Sequence, residues 1–156
     1  MWVGCLGTAY PCDMDLTLTR RGDYAVRAAL CLAGVHGQGG YLKIREVSTA
    51  MHLPVSYTPQ VLKLLVTAGL VEAKAGRGGG YRLTRQPRDV SLLEVVEAAE
   101  GPLLPERCIL RGGPCRWEDA CAVHPAWATA VQAWRGSLAT HTLADLVAAD
   151  RRLAAG

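Results

Sequence analysis

From Asp23 to Val35 almost every position is apolar except Arg27, which predicts a helix buried on most sides that opens behind Thr19 as its cap. The glycine-rich stretch "HGQGGYL" at 36–42 ends it. Ile44, Val47, Ala50 and Met51 then recur at helical spacing until "HLPVS" at 52–56 interrupts with a proline. In a third helix Val61, Leu62, Leu64, Leu65 and Ala68 supply the apolar face. Ser56 is its expected N-cap, Pro59 falls in its first turn, and Gly69 stands where a left-handed residue closes a helix.

The pattern then shortens. Leu70–Ala73 and Tyr81–Thr84 are β-prone pieces around a tip with four glycines, which predicts a two-stranded hairpin. "SLLEVVEAAEG" at 91–101 reads as an amphipathic helix with Ser91 and Glu94 forming a capping box. Farther on, Trp127, Val131, Trp134 and Leu138 fall at i, i+4, i+7 and i+11. They make one stripe on a helix from about His124 to Leu138 and fit a helix–helix seam between two subunits. A last helix, Leu143 to Leu153, is expected to pack alongside it.

Helix, helix, turn, helix and a glycine-tipped hairpin is the order of a winged helix-turn-helix, so the expected fold is mostly α with a small β hairpin and a long C-terminal dimerisation helix. Tyr57, Thr58, Gln60, Lys63 and Thr67 form a polar face on the third helix that would reach base edges in a major groove, with Gln60 suited to adenine. The hairpin would lay Arg77 along a minor groove. Lys74, Arg77, Arg82, Arg85 and Arg88 carry no acid among them, so positive charge is concentrated there. The plainer reading is a protein-interaction module with a solvated basic loop.

Composition narrows this only slightly. The 156 residues are half apolar and one fifth charged, with a formal charge of +3, which permits a nucleic-acid partner without requiring one. No apolar run approaches the length of about eighteen residues that spans a bilayer. Residues 1–13 lack the basic leader and apolar centre of an export signal and read as a disordered extension ahead of Met14. The cytoplasm is the expected compartment, where clustered cysteines bind metal or sense redox state more often than they form disulfides. The expected partition is 14–90 for the DNA-binding unit, 91–104 for a connecting helix, 105–123 for a cysteine-rich segment, and 124–156 for the dimerisation and last helices.

Cys108, Cys115, Cys121 and His124 lie within seventeen residues at spacings C-x6-C-x5-C-x2-H. Three thiolates and an imidazole suit an iron–sulfur cluster or a zinc ion; without metal they would be a disulfide or peroxide-sensing thiol pair, or inert loop cysteines. Spacing alone leaves all four open. Cys31 reads as a small buried hydrophobe, and no role is assigned to Cys5 or Cys12. There is no Cys-x-x-Cys pair and no nucleotide-binding glycine motif, which argues against an enzyme or redox carrier.

"LTRRGDYAVRAALCLA" (18–33), "SYTPQVLKLLVTAGLV" (56–71) and "GRGGGYRL" (76–83) resemble the characteristic blocks of the Rrf-type bacterial transcription regulators. The cysteine segment with "HPAW" and "HTLADLV" (141–147) extends the resemblance, over about 16–150, to their IscR/NsrR-like iron–sulfur branch. The resemblance implies a homodimeric repressor on a near-palindromic operator in double-stranded DNA, with no membrane and no small-molecule substrate. It implies DNA contacts from Ser56, Tyr57, Thr58, Gln60, Lys63, Arg77, Gly78, Gly79 and Tyr81. It also implies an iron–sulfur cluster, 2Fe–2S in preference to 4Fe–4S, that senses iron–sulfur status, nitric oxide or redox stress. Cys108, Cys115 and Cys121 would be its thiolate ligands, with His124 or, from the partner subunit, Asp23 as the fourth. Asp23 equally suits a helix-start acid favoured by the macrodipole. Pro59 stands where such regulators often carry a glutamate, so a base preference tied to that carboxylate does not transfer.

Overall fold

A computed structural model describes residues 18–102 and 121–155. The extension expected over 1–13, Cys108 and Cys115 lie outside the described residues. The elements run α1 (Arg20–Gly34), α2 (Ile44–Met51), α3 (Thr58–Thr67), β1 (Val71–Lys74), β2 (Gly80–Leu83), a 3-10 turn (Pro87–Asp89), α4 (Leu92–Glu100), α5 (His124–Thr140) and α6 (Leu143–Ala154).

The organising element is α1. Thr19 caps it, its side chain accepting from the Gly22 amide, and Asp23 lies in the first turn, where the helix dipole favours an acid. Ala25, Ala28, Ala29 and Leu32 repeat at i, i+3, i+4 and i+7, and all four are buried. The small side chains on this stripe allow close approach, and α2, α3, α4 and α6 all pack against α1. Val47, Val61, Leu62 and Leu65 fill the space between α1 and the helix-turn-helix.

The residues expected to form only a connecting helix contribute Val95 and Ala99 to that same core. The Ser91–Glu94 capping box forms as expected. The last helix corrects the sequence expectation, because α6 packs on α1 and the 3-10 turn rather than alongside α5. Two backbone hydrogen bonds fix its start beside the start of α4: Leu92 N–H to His141 at 2.8 Å and Leu143 N–H to Val90 at 2.9 Å. Leu143 is then fully buried, Leu146 and Val147 pack against the core, and Arg151 donates to the Gly34 carbonyl at the end of α1.

In the hairpin, Val71 pairs with Leu83 and Lys74 with Gly80 in antiparallel register. Leu42 adds a bridge to Tyr81 on the outer side of β2. The last two tip glycines are needed by this packing. A Cβ at Gly79 would strike the Lys74 carbonyl, and Gly80, at φ +149°, lies against the Leu42 carbonyl. They permit close backbone approach within the protein.

Candidate nucleic-acid interface and cysteine segment

Pro54 sets the start of α3. Its carbonyl accepts the Tyr57 and Thr58 amides, both at 3.0 Å, and the Thr58 hydroxyl at 2.9 Å. The helix therefore opens at Tyr57 without a side-chain cap, and Ser56 does not fill the N-cap role expected of it. Thr58 also departs from expectation. It is only 1% exposed, with its hydroxyl 2.8 Å from that of buried Ser48, so it ties α3 to α2 and does not reach outward. Tyr57 is half-buried and packs edge-on against Tyr24, ring centroids 5.7 Å apart.

The remaining polar residues do face out. Gln60, Lys63 and Thr67 are exposed at spacings of three and four residues and form one stripe along α3, and Ser56, also exposed, lies in the turn just before it. This is the surface such a helix can present to base edges.

The positive charge of the hairpin is narrower in space than in sequence. Arg82 pairs with Glu72 across the strands, and Arg85 pairs with Glu94 at 2.5 Å. Arg88 lies 4.0 Å from Asp89. Acids outside the 74–88 window thus engage three of its five basic residues. Lys74 and Arg77 make no ion pair among the described residues, although the Lys74 ammonium lies 5.6 Å from the centre of the Tyr41 ring. Arg77, at the exposed tip beside Gly78, is the cation best placed for a phosphate or a minor groove.

Sequence reasoning missed Tyr41. Its hydroxyl donates to Glu72 at 3.0 Å while the Arg82 guanidinium lies 4.6 Å from its ring centre, so it braces the base of the wing. The hydrogen bond to Glu72 raises the Tyr41 pKa, and Arg82 with Tyr41 holds the Glu72 carboxyl below the ordinary carboxylate range. Tyr41 sits in a glycine-rich break with no periodic pattern, which left no signal to find it by. Tyr81, named as a DNA contact, is half-buried in β2 against the core.

Of the candidate metal ligands, Cys121 and His124 are described. Both are half-buried at the start of α5, where the His124 amide donates to the Cys121 carbonyl at 3.2 Å. Neither side chain has a hydrogen-bond partner among the described residues. No group of three metal-binding side chains occurs among the described residues, and Cys108 and Cys115 lie outside them. Asp23 sits in the first turn of α1, its carboxylate accepting from Arg27 at 2.8 Å, so it fills the helix-start role and also forms an i,i+4 pair.

Along α5, Val131 is buried, Trp127 and Leu138 are half-buried, and Trp134 is 38% exposed. α5 runs antiparallel to α4, with Arg135 paired to Glu97. At 1.5 Å per residue its seventeen residues exceed the nine of α4 by about 12 Å. No helix of the described residues is long and apolar enough to cross a membrane.

The comparisons with known proteins agree on one family. The Rrf2 profile, described as an iron-dependent transcriptional regulator, matches residues 18–149. An Rrf2-like HTH-type transcriptional regulator of Rhodobacter capsulatus is 32% identical over 139 residues, covering 85% of this chain and 93% of its own length. The HTH-type transcriptional regulator IscR of Escherichia coli K12 is 32% identical over 132 residues, covering 85% of this chain and 80% of its own. Among solved structures, CymR, the global cysteine regulator of B. subtilis, aligns at TM-score 0.71 and 26% identity over 86% of this chain and 98% of CymR. IscR of T. potens aligns at 0.69 and 26% identity over 88% and 90%. With its helix-turn-helix, wing and exposed α3 stripe, the chain belongs to the Rrf2 family and is a transcriptional regulator with a DNA-binding fold, not an enzyme.

Proposed function

We propose that the chain is a homodimeric cytoplasmic repressor that reads a near-palindromic operator with α3 and the wing, its grip set by an iron–sulfur cluster. The observation that carries the DNA-reading part is the exposed set Ser56, Gln60, Lys63 and Thr67, together with the exposed Arg77, which makes no ion pair among the described residues. Gln60 suits a bidentate contact to adenine, and Lys63 and Arg77 add contacts that salt weakens. The Trp134 side of α5, with half-buried Trp127 and Leu138, is the dimer seam in this reading, whereas Val131, expected on the same stripe, is already buried within the chain. Two-fold symmetry then sets two reading heads on two half-sites.

The donor set fits the cofactor. Cys108, Cys115 and Cys121 would hold it, with His124 as fourth ligand or, contributed across the dimer, an Asp23 carboxylate freed from Arg27. Bound there, a cluster supplies a centre sensitive to oxidants, nitric oxide and iron supply, and 2Fe–2S is the preferred type. The side chains of Cys121 and His124, free of partners among the described residues, support this assignment. The ligand-bearing segment joins α4 to α5, so gathering its thiolates bears on how α5 sits against α4, where Arg135 meets Glu97.

A second reading keeps DNA binding and dispenses with the cluster, using the cysteines as thiols. The likeness to CymR, the global cysteine regulator, favours it. Anaerobic purification followed by visible absorption, iron and acid-labile sulfide analysis separates the two. Coloured protein whose operator affinity changes on bleaching, and whose Cys115→Ala variant loses that response, supports cluster control. Colourless protein, or equal affinity in both states, leaves the thiol-based or cluster-free repressor.

A further inference from the structure

We propose that Val55 reads sequence by placing its isopropyl group against the C5-methyl of a thymine in the major groove. The inference deepens the proposed DNA reading and rests on α3 being the reading helix.

Val55 lies in the turn between α2 and α3 and is 52% exposed. The other exposed large apolar residues among those described are Val123, Trp134 and Leu153, all from α5 and its entry or from the end of α6. Val55 is therefore the exposed large hydrophobe of the helix-turn-helix, and Ser56 and Gln60, which follow it within five residues, are polar and exposed.

The turn holds it outward. Pro54, immediately before it, has a fixed φ, and the Pro54 carbonyl closes the corner by accepting the two amides and the hydroxyl described above. Ser48 clamps Thr58 to α2, and Tyr24 covers Tyr57. A β-branched side chain on such a corner has few rotamers to lose on contact.

One exposed isopropyl group, even with the exposed Pro54 ring before it, offers too little apolar area for a protein partner. It matches a base edge, because the thymine methyl is the apolar feature of the major-groove code and helix-turn-helix proteins read with residues at the start of the recognition helix.

The test uses the full chain to select duplexes from a random DNA pool, then replaces each selected thymine by deoxyuridine, which removes only the methyl. Wild-type protein is expected to bind one uracil-substituted duplex about three- to tenfold more weakly per half-site. Val55→Ser and Val55→Ala should bind that duplex and its thymine parent alike, with thermal stability close to wild type because the residue is half exposed. If uracil has no effect at any selected thymine, or the variants keep the wild-type ratio, Val55 is not a reader while α3 still is. If the wild-type chain selects no motif, the reading role of α3 fails and this inference fails with it.

Discussion

The carboxylate of Glu100, the last residue of α4, accepts both the amide and the hydroxyl of Thr19, the cap of α1, at 3.0 and 2.7 Å. The end of α4, where the chain enters the cysteine segment, is thereby fastened to the start of the central helix. Gly22 makes this possible, since a Cβ there would collide with the Glu100 carboxylate. Glu100→Ala removes both hydrogen bonds and a negative charge from a helix N-terminus, and is expected to cost about 1–2 kcal/mol. Glu100→Gln, which can still accept, should cost less. Urea unfolding with unchanged m-values would measure both.

Ser48 and Thr58 share one buried hydrogen bond, and each hydroxyl also reaches a backbone carbonyl, Ile44 and Pro54 respectively. Ser48→Ala and Thr58→Val should each cost about 1 kcal/mol, and the double variant less than their sum, because both remove the same contact. A double-mutant cycle in chemical denaturation reads this. Strict additivity would mean the hydroxyls are not coupled.

The wing cations should divide by partnership. Arg77→Ala is expected to leave stability within about 0.5 kcal/mol, to weaken operator binding across sequences, and to reduce the salt slope by about one. Arg82→Ala removes an arginine engaged with Glu72 and Tyr41, so its salt slope should change less. Fluorescence anisotropy over a salt series compares them.

Acid sensitivity should come from carboxylates held by hydrogen bonds. Arg82 and then Tyr41 lower the pKa of Glu72, and the Thr142 hydroxyl and amide lower that of Asp145. A carboxylate with a folded pKa below its unfolded one contributes stability in full above the unfolded value and loses it as pH falls through the folded value. Glu72→Gln and Asp145→Asn should therefore flatten the loss of stability below the ordinary carboxylate range and change little near neutrality beyond a constant offset. Both groups are exposed, so the effects are small. Thermal melts across acidic pH check the slope.

If α5 is the seam, Trp134→Glu buries a charge between subunits and should shift the dimer toward monomer in sedimentation, with the head still folded. An unchanged dimer places the interface elsewhere.

Periodicity along the chain determined the helices, the hairpin, the left-handed Gly69 and the Ser91–Glu94 capping box, because these depend on neighbours a few residues apart. It also marked Gln60, Lys63 and Arg77 as polar positions that emerge exposed. Tertiary structure alone decided that Thr58 turns inward to Ser48 and that acids from β1 and α4 take up Arg82 and Arg85. It alone decided that α6 lies on α1, because Leu143 finds burial beside Val90. Burial and charge pairing join residues distant in sequence, and no local pattern carries that information.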